Sequence, residues 1–307
     1  MAASSDQGNA PEHRLATLEP DRRIHRPPSD APFFLLLTAI GGVYVVFLLG
    51  MLAADVVYMT QSAAADQVAL PPGWQWASGI LRPFLPIVSA LNKPEIRYSL
   101  KLTMISCLFT AILSVVVAVP LGYVLSRYRF PGSSFLDALL DIPIVLPPLV
   151  IGLSLLILFQ FAPFRFFSRW VVYQVPGVIL AQFMVAAAFA IRTMRFTYDQ
   201  IDRRQEQVAL TLGCSRAQAF AWVVFPRSWQ GMITAGTMAW ARALGEFGPL
   251  LIFAGATRNK TEVLSTTVFL ELSIGDLEAA VAVSLMMVGA AVFVLMVARL
   301  WGARNLV

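Results

Sequence analysis

Few of the 307 residues are of types that do chemistry, and their placement decides which chemistry is open. The two histidines, His13 and His25, fall in a stretch without hydrophobic pattern, so neither a metal centre nor histidine acid–base catalysis is indicated. Lys260-Thr261 has Asn259 and Ala254 where a phosphate-binding loop needs glycines, so no nucleotide site of that kind is encoded. Asp137 and Asp141 share one helix face, as paired catalytic carboxylates would. They also stand at the start of an apolar run, where carboxylates suit a helix N-terminus, and that plainer reading is preferred. Arg242 and Glu246 are the costly pair. Each lies inside an apolar region, where an ionised side chain costs about 2.5–3.5 kcal/mol on insertion scales, so both should face protein or a watery path. One helical turn apart, they can form an ion pair with each other or with partners on neighbouring helices, and that structural reading is preferred to a direct substrate contact.

The elements that hold these residues are set by hydropathy. With 58% hydrophobic and 13% charged residues, the chain lies outside the balance of a soluble domain and reads as an all-α integral membrane protein. Its net charge of +5 carries no nucleic-acid signature. Residues 1–32 should be a disordered tail, 33–54 the first span, and 55–98 an external loop with Trp74 and Trp76 at the interface. A second span covers 102–126, with Pro120 and Gly122 bending its end. A third starts near Leu136, and its uncharged part, 142–164, contains Pro143, Pro147, Pro148 and Pro163. Broken backbone at membrane depth requires protein or water to satisfy the freed groups, so these prolines mark either a shaped cavity or a kinked, packed helix. The fourth span covers 170–191. The runs 228–241 and 247–257 are each too short to cross alone and are joined into a fifth span that holds Arg242 and Glu246. An external loop, 258–275, leads to Asp276 as N-cap of the sixth span, 279–298. Under this six-span arrangement one side carries twice as many Lys and Arg as the other, which predicts that both termini are cytoplasmic. Cys107 and Cys214 fall at different levels and are expected to be unpaired packing thiols.

Among these spans residues 206–226 are a polar, helix-prone island. With Arg203, Arg204, Glu206, Arg216 and Arg227 in or beside it, the segment must lie in water next to the bilayer. Ile201, Val208 and Leu212 fall on one broad helical face, Gly213 can supply a turn, and Pro226 disfavours helix beyond the second half.

This island resembles the cytoplasmic motif of the membrane subunits of binding-protein-dependent ABC importers, the EAA motif: Glu-Ala-Ala, three residues, Gly, nine residues, then Ile-x-Leu-Pro. Gly213 takes the glycine position and Val223-Val224-Phe225-Pro226 the closing element. Gln207, Val208 and Ala209 hold the Glu-Ala-Ala positions, with Glu206 one residue early. The segments 141–148 and 241–248 are similar to molybdate permeases, with sulfate and tungstate permeases as near relatives, and 275–280 resembles the molybdate branch. The resemblance implies a five-helix permease core over 98–302, preceded by one extra N-terminal span and loop at 33–97. It also implies paired coupling helices at about 198–227, the first of which, with Glu206, enters a groove of a separate cytoplasmic ATP-binding subunit.

On that resemblance ATP and Mg belong to the partner, and this chain has no cofactor, no metal and no catalytic residue of its own. The implied partners are the ATP-binding subunit, an extracytoplasmic oxyanion-binding protein and a second copy of the chain, all at the plasma (inner) membrane. Arg242 would lend positive potential to a route for a tetrahedral oxyanion, and Glu246 would prevent tight trapping. Molybdate is the expected cargo, and sulfate, tungstate or another small solute is the alternative. An ion-coupled secondary transporter or a membrane scaffold is the alternative of another class, weakened because no matched halves with broken helices are visible.

Overall fold

The computed structural model describes residues 31–65, 90–128 and 130–303. Residues 1–30 of the tail expected at 1–32, and 66–89 of the loop expected at 55–98 with Trp74 and Trp76, lie outside them. Among the described residues every regular element is helical. The contacts divide the chain into two units, one through Met51 and one from Leu52 onward. The first contributes the opening part of α1 (Ala31–Ala65), whose residues 38–61 are long and apolar enough to cross a membrane. Helix runs on to Ala65 and another begins at Pro94, so neither 55–65 nor 94–98 is the external loop expected there.

In the second unit α2 (Pro94–Arg127) is one helix of 34 residues, passing Pro120 without interruption. Its buried face is built from small and hydroxylated residues, Ser99, Thr103, Ser106, Thr110, Ala111, Ser114 and Ala118. Such residues let helix backbones approach closely where lipid gives no hydrophobic drive. Against it lies α5 (Val175–Gln200), presenting Ala186, Ala190 and Met194 in the same core. The third span is broken as its prolines dictate. α3 (Ser133–Val145) and α4 (Pro148–Leu158) meet at 112°. Leu146 is extended, as a residue before proline must be, Pro147 is the N-cap, and Pro148 opens α4 at a position where a missing N–H is tolerated.

Three expectations are corrected here. α5 does not stop near residue 191 but continues to Gln200. Its Arg192 and Arg195 pair with Asp141 and Asp137 of α3, which gives this polar end a packed partner. The segment 258–275 is not all loop, because α9 (Leu264–Ile274) forms within it. The chain also stays helical through Pro226. After α6 (Arg203–Thr211) and α7 (Arg216–Ala219), a π turn at Phe220–Val224 shifts the register, so that Phe225 N donates to the Phe220 carbonyl, and Pro226 sits in the first turn of a new short helix, Phe225–Arg227. The fifth span is α8 (Trp229–Leu244), an irregular stretch, and a π turn at Leu250–Ala254. The last is α10 (Leu277–Ala303). Four helices are long and apolar enough to cross, or five counting the bent pair as one, so the count of six is approximate. Both cysteines are free, Cys107 buried and Cys214 partly so.

Candidate functional site: a helix pair at one face and two helix breaks within the membrane

α6 and α7 are held as a unit by their own sequence. Asp202 caps α6 by accepting from Arg204 N at 2.9 Å. At its other end Cys214 N donates to the Ala209 carbonyl and Gly213 N to the Leu210 carbonyl, both at 3.1 Å, the bonding pattern of a Schellman cap. Gly213 takes φ +91°, a left-handed conformation that favours glycine. A reciprocal capping box then starts α7: Ser215 N donates to Gln218 Oε1 at 2.8 Å, and Gln218 N to Ser215 Oγ at 3.3 Å. The sequence therefore writes helix, left-handed turn, helix without help from tertiary contacts.

The faces of this unit are sharply divided. Ala209, Ala219 and Val224 are buried, and Val223 is half-buried. Gln207, Val208, Leu212, Gly213, Trp222, Phe225 and Pro226 are exposed, Leu212 at 80%. Val208 and Leu212 do share a face of α6, whereas Ile201 belongs to the end of α5. Glu206 points the other way. Its Oε1 accepts from Tyr123 Oη at 2.5 Å, and its Oε2 lies 3.3 Å from Arg127 Nε. Arg127 also donates to the Ile201 carbonyl at 2.9 Å, and Arg203 donates to the Ser126 carbonyl. The Tyr123 ring stands edge-on to Tyr198, at 5.6 Å, and to Phe220, at 4.6 Å, so α2, α5 and the π turn meet on one side chain. Arg216 stays outside, over the Tyr128 ring, and its hydrogen bond to the Tyr128 hydroxyl raises its already high pKa.

Within the membrane the structure joins two interruptions that look unrelated in sequence. Atoms of Pro249 lie 2.8 Å from where a Cβ on Gly152 would stand, and Leu149 N lies 2.9 Å from where one on Gly248 would stand. The α3/α4 break and the 245–249 break are therefore packed together, and the two glycines permit the approach. Arg242 and Glu246 flank this junction as the expected i, i+4 ion pair, at 2.5 Å, with the Glu246 side chain 1% exposed and the guanidinium 31% exposed, 5.6 Å from the Phe189 ring. Pro143 is half-buried, while Pro147 and Pro148 are exposed. Gln182, which sequence reasoning missed, ties this region to the core: it accepts from Thr110 Oγ1 at 3.2 Å and donates to the Ala243 carbonyl at 3.3 Å. Tyr123 and Arg127 were missed too. A lone glutamine inside a span was the available signal for Gln182. For Tyr123 none exists, because its partner Glu206 is 83 positions away.

Among the described residues no group of His, Cys, Asp and Glu is disposed to hold a metal ion. The helical architecture, the broken spans and the helix pair define a membrane-embedded permease, and residues 118–305 match the family profile of the binding-protein-dependent transport system inner membrane component. The chain belongs to that family, whose members are multi-pass permeases of the inner membrane. Over 212 residues it is 32% identical to the sulfate transport system permease protein CysT of Escherichia coli (strain K12), covering 67% of this chain and 76% of the relative. Over 168 residues it is 35% identical to the molybdate/tungstate transport system permease protein WtpB of Thermococcus kodakarensis, covering 55% of this chain and 65% of the relative. A chain in the crystal structure of a bacterial ABC transporter that imports the acidic polysaccharide alginate shares its fold, with a TM-score of 0.67 at 14% identity over 91% of this chain and 97% of that one.

Proposed function

We propose that the chain is the permease subunit of an ATP-driven importer of a small tetrahedral oxyanion, working as a homodimer with two cytoplasmic ATP-binding subunits and an extracytoplasmic binding protein. Both termini and the α6–α7 unit are cytoplasmic in this reading. The observation that carries it is the exposed apolar pair Val208 and Leu212, one turn apart on a polar helix pair, followed by exposed Trp222 and Phe225 and accompanied by exposed Arg203, Arg204, Arg216 and Arg227. Exposed apolar residues among charged ones are a protein-docking feature. In this reading Gln207, Val208, Ala209, Gly213, Val223, Phe225 and Pro226 form the coupling surface, with Ala209 supporting it from within. Closure of the ATP-binding pair moves that surface, and the packed breaks around Pro143, Pro147, Pro148 and the Arg242–Glu246 pair lie where the pathway opens. Arg242, the exposed partner, is the group that would meet an anion.

Molybdate is the first choice of cargo, supported by the likeness of 141–148, 241–248 and 275–280 to the molybdate branch. Sulfate is the second, favoured by the greater coverage of the sulfate permease relative. Vesicles containing this chain and its ATP-binding subunit, supplied with binding protein and labelled molybdate, should accumulate it only with internal ATP and lose uptake to excess tungstate more than to excess sulfate. Preferential competition by sulfate selects the second cargo. Uptake without ATP refutes the importer. An Arg242→Ala variant that assembles and transports at the parental rate removes Arg242 from the pathway.

A further inference from the structure

We propose that Glu206, with Tyr123 and Arg127, is a positioning residue that clamps the coupling helix to the end of α2, and that Gln207 rather than Glu206 faces the ATP-binding subunit. The inference rests on the coupling reading of α6–α7 and changes the task assigned there to the acid.

The argument begins with helix geometry. Successive side chains on an α-helix are about 100° apart, so moving an acid one place earlier swings it from one face towards another. The family motif places its acid where this chain has Gln207, and Gln207 is exposed. Glu206 is carried inward. One of its oxygens accepts a hydrogen bond from Tyr123 and the other lies in ion-pair contact with Arg127 Nε at 3.3 Å, and its side chain is 13% exposed against 5% for Arg127. A carboxylate committed in this way has little left to offer a second protein.

The same residues reach every element that would have to move with the coupling helix. Arg127 holds the Ile201 carbonyl, where α5 gives way to α6. Arg203, in the first turn of α6, holds the Ser126 carbonyl, and Ser126 Oγ donates to Asp199 Oδ1 at 2.6 Å. Tyr123 adds ring contacts to Tyr198 of α5 and Phe220 of the π turn. These form a closed loop of contacts between the ends of two spans and both halves of the helix pair. Hydrogen bonds that involve a charged group are the stronger kind, and here they are part-buried. The clamp therefore ties displacement of α6 to displacement of α2, and the ridge of Val208 and Leu212 is free to serve as the contact surface.

The test uses the assembled transporter in vesicles with labelled molybdate, comparing Glu206→Gln, Tyr123→Phe, Gln207→Ala, Leu212→Ala and the charge exchange Arg127→Glu with Glu206→Arg. Three quantities are measured: affinity for the ATP-binding subunit, transport per ATP hydrolysed, and amide hydrogen exchange in α6. Glu206→Gln and Tyr123→Phe should speed exchange in α6 by about tenfold and lower transport per ATP, with affinity within about twofold of the parent. Leu212→Ala should instead weaken affinity. The charge exchange should restore a good part of the coupling lost in Glu206→Gln, a rescue that general destabilisation would not give. Loss of affinity in Glu206→Gln equal to or greater than that in Leu212→Ala, with unchanged exchange in α6, overturns the clamp and returns Glu206 to the interface. If neither the Gln207 and Leu212 variants nor the Glu206 variants alter affinity or coupling, the coupling reading itself fails, and the clamp's task with it.

Discussion

Replacing Gly213 isolates the contribution of backbone conformation to the helix pair. A Cβ placed there would meet nothing within 4 Å, so side-chain volume has no steric effect inside the chain. What remains is φ +91°. Holding an L-residue in the left-handed region costs about 1–2 kcal/mol, which is roughly a 5–30-fold shift in an equilibrium. Gly213→Ala should bear that cost in full, Gly213→Asn less of it because asparagine tolerates the region, and Gly213→Val the most because it is β-branched. The assay is hydrogen exchange at the Cys214 amide, which is protected by its 3.1 Å bond to the Ala209 carbonyl and opens when the Schellman cap opens. Exchange should quicken in the order Asn, Ala, Val, and coupled transport should fall in the same order. Unchanged exchange in Gly213→Ala would refute the conformational argument. A ranking by volume, with Asn worse than Ala, would show instead that the position is crowded by the partner.

Three further expectations concern other parts of the molecule. Arg242→Ala leaves the buried Glu246 carboxylate without its partner. Breaking a buried pair costs about 3–5 kcal/mol, and partial exposure of Arg242 places this one at the lower end, so thermal stability in detergent should fall and then recover in part when Glu246→Gln is added. Gly248→Ala drives a methyl group to 2.9 Å from Leu149 N, an overpacking that should cost about 1–3 kcal/mol and be visible as a lowered unfolding midpoint. Glu262 is buried, and neither carboxylate oxygen has a hydrogen-bond partner among the described residues. The nearby Thr267 hydroxyl is bonded to Val263 O at 3.0 Å and Ser99 Oγ at 3.1 Å. Burial raises the Glu262 pKa, which Arg258 opposes and Glu271 and Glu95 reinforce. Between the ordinary carboxylate value and the raised one the folded chain holds more of this proton than the unfolded chain does, so stability declines as pH rises across that window. Glu262→Gln should flatten that decline, and a stability–pH curve of unchanged slope would contradict it.

Hydropathy marks the position of nearly every span, and the proline pair 147–148 marks the broken one, because both signals are local. The Gly213 turn is equally local, since its cap and the Ser215 capping box use neighbours within a few residues. What escaped depends on distant partners. α5 continues past residue 191 because Met194 and Tyr198 are buried in the core with α2, and Arg192 and Arg195 add ion pairs to Asp141 and Asp137 on α3, more than 50 positions earlier. The meeting of the two breaks depends on Gly152 and Gly248 facing each other's prolines, and the inward turn of Glu206 depends on Tyr123. α9 escaped for another reason. Its helix is short, and the neighbouring polar residues Arg258, Lys260 and Asp276 made the whole stretch read as loop.

The continuity of α2 has a mechanical consequence. At about 1.5 Å per residue its 34 residues extend some 50 Å, from Glu95, paired with Arg258 at 3.4 Å, to Arg127, paired with Glu206. An unbroken helix is stiff along its axis, so the two charged ends are held at a fixed separation. The third span, by contrast, is bent by 112° at Pro147 and Pro148, so its two halves do not form one rigid element.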